Sequence, residues 1–390
     1  MALAGIGLLA LSGCLSGREL NTLAITVGIG IDKVGGDYLV TAQVVDPSAV
    51  ANRNAPGNRL PVTIYRMRSV DVNEALRKMT TIAPRRIYLA HLRMLIIGET
   101  VAREGFSEIV DFFSRNNELR NDFFIAVAKR DKALNILKVL TPLEKIPSSE
   151  MYLSLHTSER FWAPTHGVFL DELIKDLVTE GQGNVLTGIV IKGNKKKGDK
   201  VENTEAIYTP ANLQYSQLGV FRKQKLVGWL TEDESKGYNY LMGNIKETIG
   251  NIACPKGGRV VVSVTRAKRK LKAMVRNGKP SIHVKLDVEG DVAEVGCKIK
   301  LTDPASVKMI NRKSSEKIKG YMEKTVQKAK FGLKTDFLGF GAALHRSEPK
   351  YWNKEKQRWM ERFQTLDVRI DVTYNIRRVG TITDSAKEKM

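Results

Sequence analysis

The chain has 390 residues, 42% of them hydrophobic, which is enough for two or three domains with proper cores and too apolar for a disordered chain. Its 63 Lys and Arg outweigh 42 Asp and Glu to give a formal net charge of +21, which points to an anionic membrane surface or a nucleic acid. Three cysteines are too few for a disulfide framework, and no CxxC or Cys/His spacing suggests zinc.

In chain order, Met1 to Leu11 is apolar and uncharged but too short to span a bilayer, and it runs into Leu11-Ser12-Gly13-Cys14. That pattern is a lipobox. Residues 1–13 are expected to be a signal peptide and Cys14 the mature N-terminus, its thiol carrying a diacylglycerol. At about 0.8 kcal/mol per buried methylene, two acyl chains contribute on the order of 20 kcal/mol of anchoring. No Lys or Arg precedes the run, a departure from the usual basic start of an export signal.

Residues 23–45 read as a β-hairpin, with Leu23, Ile25, Val27, Ile29 and Ile31 alternating with small or polar residues and Gly35-Gly36 at the turn. Gly28-Ile29-Gly30 lacks the third glycine and the helix of a dinucleotide loop, so it belongs to the strand. A loop at 52–61 leads to a strand near Val62 to Met67 and a helix opened by Asp71 and Glu74 as a capping box. Strands at 91–98 and 123–128 then alternate with helices at 101–114 and 131–140, the second capped by Asp131. Residues 14–140 are thus expected to form an N-terminal α/β domain.

Pro142, Pro147 and Pro164 punctuate residues 141–212, read as a small middle domain. It carries short helices at 149–159 and 169–177, strands at 185–192 and 206–209, and a charged loop at 193–199. Residues 213–390 form a C-terminal α+β domain with a long hairpin, turned at Asn277-Gly278, and a long helix opened by Asp303-Pro304. Within it, Ile282, Val284, Leu286 and Val288 share one face, while His283, Lys285, Asp287 and Glu289 face solvent. Trp352, Trp359 and Phe363 at helical spacing read as core, and the last strand covers 366–377. The fold class is α+β, mixed α/β: three domains, each a mainly antiparallel or mixed sheet with packed helices, behind the signal peptide.

Chemistry-bearing patterns are sparse. His91, His156, His166, His283 and His345 show no ligand spacing, no GxSxG elbow or Walker loop is present, and Asp171-Glu172 sits on a short helix like any solvated pair. No catalytic, cofactor or metal site is expected. The basic runs Lys195-Lys196-Lys197 and Arg266 to Lys272 match no nucleic-acid module and read as a solvated loop and strand face. Cys254 and Cys297 leave two readings open, a single bridge or two buried thiols.

Several motifs recur in order nearly end to end. Gly13-Cys14, Arg18-Glu19-Leu20-Asn21 and Gly28-Ile29-Gly30-Ile31-Asp32 come first, then His91-Leu92-Arg93, Ile96-Ile97-Gly98-Glu99 and Glu118-Leu119-Arg120. Val220-Phe221 with Leu226-Val227-Gly228-Trp229-Leu230, Asp336-Phe337-Leu338-Gly339-Phe340-Gly341, Pro349-Lys350-Tyr351-Trp352 and Ile376-Arg377-Arg378-Val379-Gly380 follow. Together they resemble the Ger(x)C lipoproteins, the C subunits of bacterial spore nutrient germinant receptors, with Gly17 as a local departure. The resemblance implies a three-domain mixed α/β lipoprotein on the outer face of the spore inner membrane, beside integral-membrane A and B subunits. It further implies no catalytic activity and a role in assembling or coupling that complex. The export signal argues against nucleic acid as the partner. A second reading, a solute-binding lipoprotein that captures the germinant itself, requires a cleft that no sequence feature identifies.

Overall fold

The structure is a computed structural model that describes residues 22–51 and 60–380, so the lipobox and Cys14 lie outside the described residues, as does most of the 52–61 loop. Alternating apolar residues carry the chain along β1 (Leu23–Val34) and back along β2 (Asp37–Val45), with Gly35 and Gly36 both at positive φ between them. β3 (Val62–Ser69) adds antiparallel to β2. The next strands are short apolar runs: β4 (Arg86–Tyr88), β5 (Met94–Gly98) and β6 (Phe124–Ala128), followed by the longer β7 (Asn184–Gly193).

β5, β6 and β7 lie parallel beside β1, and every residue of β5 and β6 is buried because helices cover both faces of the sheet. Leu95, Ile97, Ile125 and Val127 enter one core with Val72 and Ile109, while Met94, Ile96 and Ala126 enter another with Ile136 and Met151. β8 (Ala211–Arg222) and β9 (Lys225–Trp229) add antiparallel, giving the strand order β3-β2-β1-β5-β6-β7-β8-β9 with β4 beside the start of β1. Residues 141–212 therefore contribute β7 to the sheet begun by residues 14–140, and β8 and β9 extend that sheet into the 213–390 segment.

Local readings are refined by long-range contacts. Asp71 accepts from Glu74 N, but the Glu74 carboxylate turns to Ser69 Oγ and Lys78, so only half of the capping box forms. The helix expected over 101–114 is two helices, Glu99–Glu104 and Ser107–Arg115, broken at Gly105 with φ +120°. Asp131 does not cap the helix Ala133–Leu137. Its Oδ1 accepts from Lys132 N and Asn135 Nδ2, and the buried Asp32 of β1 accepts from Ala133 N at 2.8 Å and Leu134 N at 3.0 Å instead. Gly28 and Gly30 let that helix lie on β1, since a Cβ at Gly30 would come within 2.8 Å of Leu137 Cδ1. Residues 206–209 are not strand; β8 begins at Ala211.

The second sheet holds β10 (Thr248–Ala253), β11 (Arg259–Arg276) and β12 (Lys279–Val295) in antiparallel order, with β13 (Asp367–Arg378) parallel to β12. Asn277 and Gly278 turn the long hairpin at φ 51° and 73°, the left-handed region that residues of this type tolerate. Val260, Val262, Val264, Ile282, Val284, Leu286, Val288, Ile370 and Tyr374 form the covered face, in one core with Ile310, Ile318 and Met322 of the helix Pro304–Gln327 and Tyr240 of the helix Glu232–Met242. Asp303 opens the longer helix by accepting from Ala305 N, and a disulfide joins Cys254 to Cys297.

The two sheets share a core, because Val185, Leu218 and Val220 of the first belong to the same apolar cluster as the second. Arg222 donates to Thr335 Oγ1 and to the carbonyls of Leu333 and Lys334 across the joint. There the backbones nearly touch: a Cβ at Gly341 would lie 2.9 Å from Gly181 Cα, and Gly181 itself has φ +75°.

Candidate functional site

The solvent face of the four-stranded sheet carries unbalanced charge. β11 contains Arg259, Arg266, Lys268, Arg269, Lys270, Lys272 and Arg276 and no Asp or Glu. Before Val264 its even-numbered residues face the core; a register shift between Val264 and Arg266 turns the even positions outward. Arg266, Lys268, Lys270 and Lys272 therefore stand exposed in one row, about 20 Å long at the rise of a strand. Arg269 turns the other way, and its Nη1 donates to the Leu241 carbonyl at 2.8 Å.

The nearby carboxylates make their ion-pair contacts with other cations, although Glu289 and Asp287 stand across from Arg266 and Lys268. The hydrogen bond from Arg377, with the charge of Arg266 adding to it, holds the Glu289 carboxyl below its ordinary value. Glu289 pairs with Arg377 at 2.6 Å, Asp371 meets His283 at 2.7 Å and Arg369 at 3.2 Å, and Asp287 lies 4.0 Å from Lys285. Among the described residues no ion pair uses the four-cation row. β10 pairs only with Arg259–Val264, so the rest of β11 is a sheet edge among the described strands, where charge resists the addition of another strand. The row thus places charge of one sign along that edge and leaves the exposed face positive.

Two buried networks fix the body behind this face. Asp336 is 3% exposed and accepts from the N–H groups of Leu338, Phe340 and Gly341 and from Trp359 Nε1. Burial pushes its carboxyl up to about 6, against the four donors that pull it down. Trp352, beside Trp359, donates Nε1 to Glu180 at 3.0 Å, so both tryptophans are core with a polar tether. His166 is also buried, with Glu159 at 3.1 Å from Nδ1 and Glu172 at 3.4 Å from Nε2. Burial alone would lower its pKa, but hydrogen bonds and charge from both glutamates raise it to about 9.

The sequence singled out Glu172 and His166 separately, and the structure brings them together. Asp336 entered only within a motif; the signal that could have found its role is an Asp followed by a turn glycine, with tryptophans downstream needing a buried acceptor. His283 and Asp371 meet across β12 and β13, while His345 stacks on Trp352. Cys14, the expected lipid site, lies outside the described residues. Among the described residues no group of three or more His, Cys, Asp or Glu is arranged to hold a metal, and no helix is long and apolar enough to cross a membrane.

Comparison with known proteins accounts for nearly the whole chain. Residues 16–191 match the family described as Spore germination protein N-terminal domain, and residues 216–380 match Spore germination B3/GerAC like, C-terminal. Spore germination protein KC of Bacillus subtilis (strain 168) is 34% identical over 392 residues, covering 98% of this chain and 96% of that protein. The chain belongs to the Ger(x)C family of spore germination proteins. Spore germination protein B3 of the same organism is 23% identical, over 96% of each chain. The crystal structure of the GerBC protein has a similar fold, with a TM-score of 0.58 at 20% identity, covering 90% of this chain and 97% of that one. The motifs that carried the resemblance have structural work in this Ger(x)C chain: Asp32 caps a helix and Asp336 gathers the turn beneath two tryptophans.

Proposed function

We propose that this chain is a non-catalytic, lipid-anchored subunit of a spore nutrient germinant receptor, held through diacylated Cys14 on the outer face of the spore inner membrane. There it serves in assembly or signal coupling with the integral-membrane A and B subunits. The observation that carries the reading is the cation row Arg266, Lys268, Lys270 and Lys272, surplus to the ion pairs of its own sheet. A tethered body that turns this face to the bilayer places it within a Debye length, about 8 Å at physiological salt, of anionic headgroups. At about 1 kcal/mol for each Lys or Arg near the surface, four cations add roughly 4 kcal/mol to the anchor and orient the body on it.

The test is mass spectrometry of the protein purified from detergent-solubilised spore membranes. Diacylated Cys14 with two multi-span partners is the expected result. An unprocessed N-terminus with no membrane partner overturns both anchor and role.

A further inference from the structure

A cavity of about 170 Å³ lies where the helices Pro304–Gln327 and Glu232–Met242 and the end of the helix Pro147–Phe161 cover β10 and the start of β11. A cavity of about 150 Å³ is enough for benzene, so this one has room for an apolar group of six or seven heavy atoms. Trp162, Tyr240 and Tyr321 supply aromatic walls. Polar groups converge on it as well. Ser314 lines it, is 2% exposed, and its hydroxyl has no hydrogen-bond partner in the structure, a deficit that costs free energy unless something fills it.

Two ammonium groups belong to the same lining. Lys236 sits over the Trp162 ring at 4.5 Å and is 13% exposed, and Lys317 lies 6.0 Å from the centre of the Tyr321 ring. Lys236 spends one contact on Glu232, and Lys317 donates to Asn251 O and Oδ1, so neither exhausts the three N–H donors of an ammonium. Among the described residues Lys317 has no carboxylate within ion-pair distance, and burial, then the neighbouring charge of Lys236, disfavours its charged form. Ser314, Lys317 and Tyr321 share one face of the long helix, and a helical side chain leans toward the N-terminal turn, which carries the Lys317 stem toward Ser314. Two ammonium groups, Lys236 paired once to Glu232 and Lys317 with no carboxylate at ion-pair distance among the described residues, stand beside an unpartnered hydroxyl and aromatic walls and are the complement of an anion with an apolar tail.

We propose that this cavity binds a small monocarboxylate, its apolar body of phenyl or pentyl size lying among Trp162, Tyr240 and Tyr321 and its carboxylate accepting from Lys236, Lys317 and Ser314. An α-amino acid fits poorly, because its own ammonium would join two others. The site lies on the covered face of the sheet, opposite the cation row, so its fate and that of the receptor reading are independent.

Calorimetric titration of the full-length protein with hexanoate and phenylacetate, against 1-hexanol and benzyl alcohol, tests it. The expected result is saturable one-to-one binding of at least one acid, tenfold or more weaker for its alcohol. Ser314→Leu, which fills the cavity, abolishes the binding, and Lys317→Gln, at a more exposed position, weakens it about tenfold with unchanged circular dichroism. Absence of saturable binding by both acids, equal binding of the alcohols, or unchanged affinity in Lys317→Gln overturns the proposal. Palmitate, whose chain far exceeds the cavity, should not displace hexanoate; displacement overturns the size assignment.

Discussion

His166 holds its proton because two carboxylates outweigh its burial, and that makes stability depend on pH. Its folded pKa of about 9 lies above the ordinary histidine value of 6.5, so the contribution is fully present below 6.5 and is lost as pH rises through 9. At about 1.36 kcal/mol for each pH unit separating those two values, the contribution is on the order of 3 kcal/mol. Urea denaturation at pH 6 and pH 9.5 should show that loss, and His166→Gln should flatten it. At Asp336 the sign is the same but the window is lower: its raised carboxyl favours the folded state as pH falls from about 6 toward 4, and that gain is lost as pH rises through 6. Asp336→Asn turns two amide hydrogens on a pocket of N–H donors and should cost about 2–4 kcal/mol in urea unfolding at pH 7. Neither role was legible in the chain, because Asp336 and Trp359 are brought together by folding, as are His166 and Glu159.

Strands and helices were more open to reading than their neighbours. The runs at Met94–Gly98 and Phe124–Ala128 are strands because two-sided burial demands continuous apolar residues, and Asn277-Gly278 turns the long hairpin as its chemistry requires. Asp32 capping a helix that starts at Ala133 could not be seen, since the contact crosses more than a hundred residues. The cation row was visible as a cluster, but the register shift that lines it up on one face was not. Replacing Lys268, Lys270 and Lys272 by Glu reverses that face without touching its core. In a Cys14→Ser background, which removes the lipid anchor, flotation with vesicles rich in anionic lipid should then fall at least tenfold at low salt and converge with the unreversed chain at high salt. Packing of the helix Ala133–Leu137 on β1 has its own check. Gly30→Val drives a side chain into Leu137 and Ala133 and should lower stability by about 1–3 kcal/mol in thermal unfolding.

Across the whole molecule, proline punctuation marked boundaries that strand pairing crosses. β7 and β8 pair from Asn184↔Phe221 to Gly193↔Ala211, although the two family matches part company between 191 and 216. Splitting the chain at Lys196 should leave each piece aggregated when made alone, while co-expressed pieces elute together in size-exclusion chromatography. The mixed α/β class was readable from alternating strand and helix patterns, whereas recruitment of all three segments into one sheet depends on pairings between distant residues. The close approach of Gly181 and Gly341 then bears on how such chains can exchange parts. A chimera that takes its first half from one relative and its second from another inherits one of these glycines from each parent. Recombination in this region succeeds only between parents that both keep the glycine, whatever their identity elsewhere, since a single added methyl on either side forces two backbones apart.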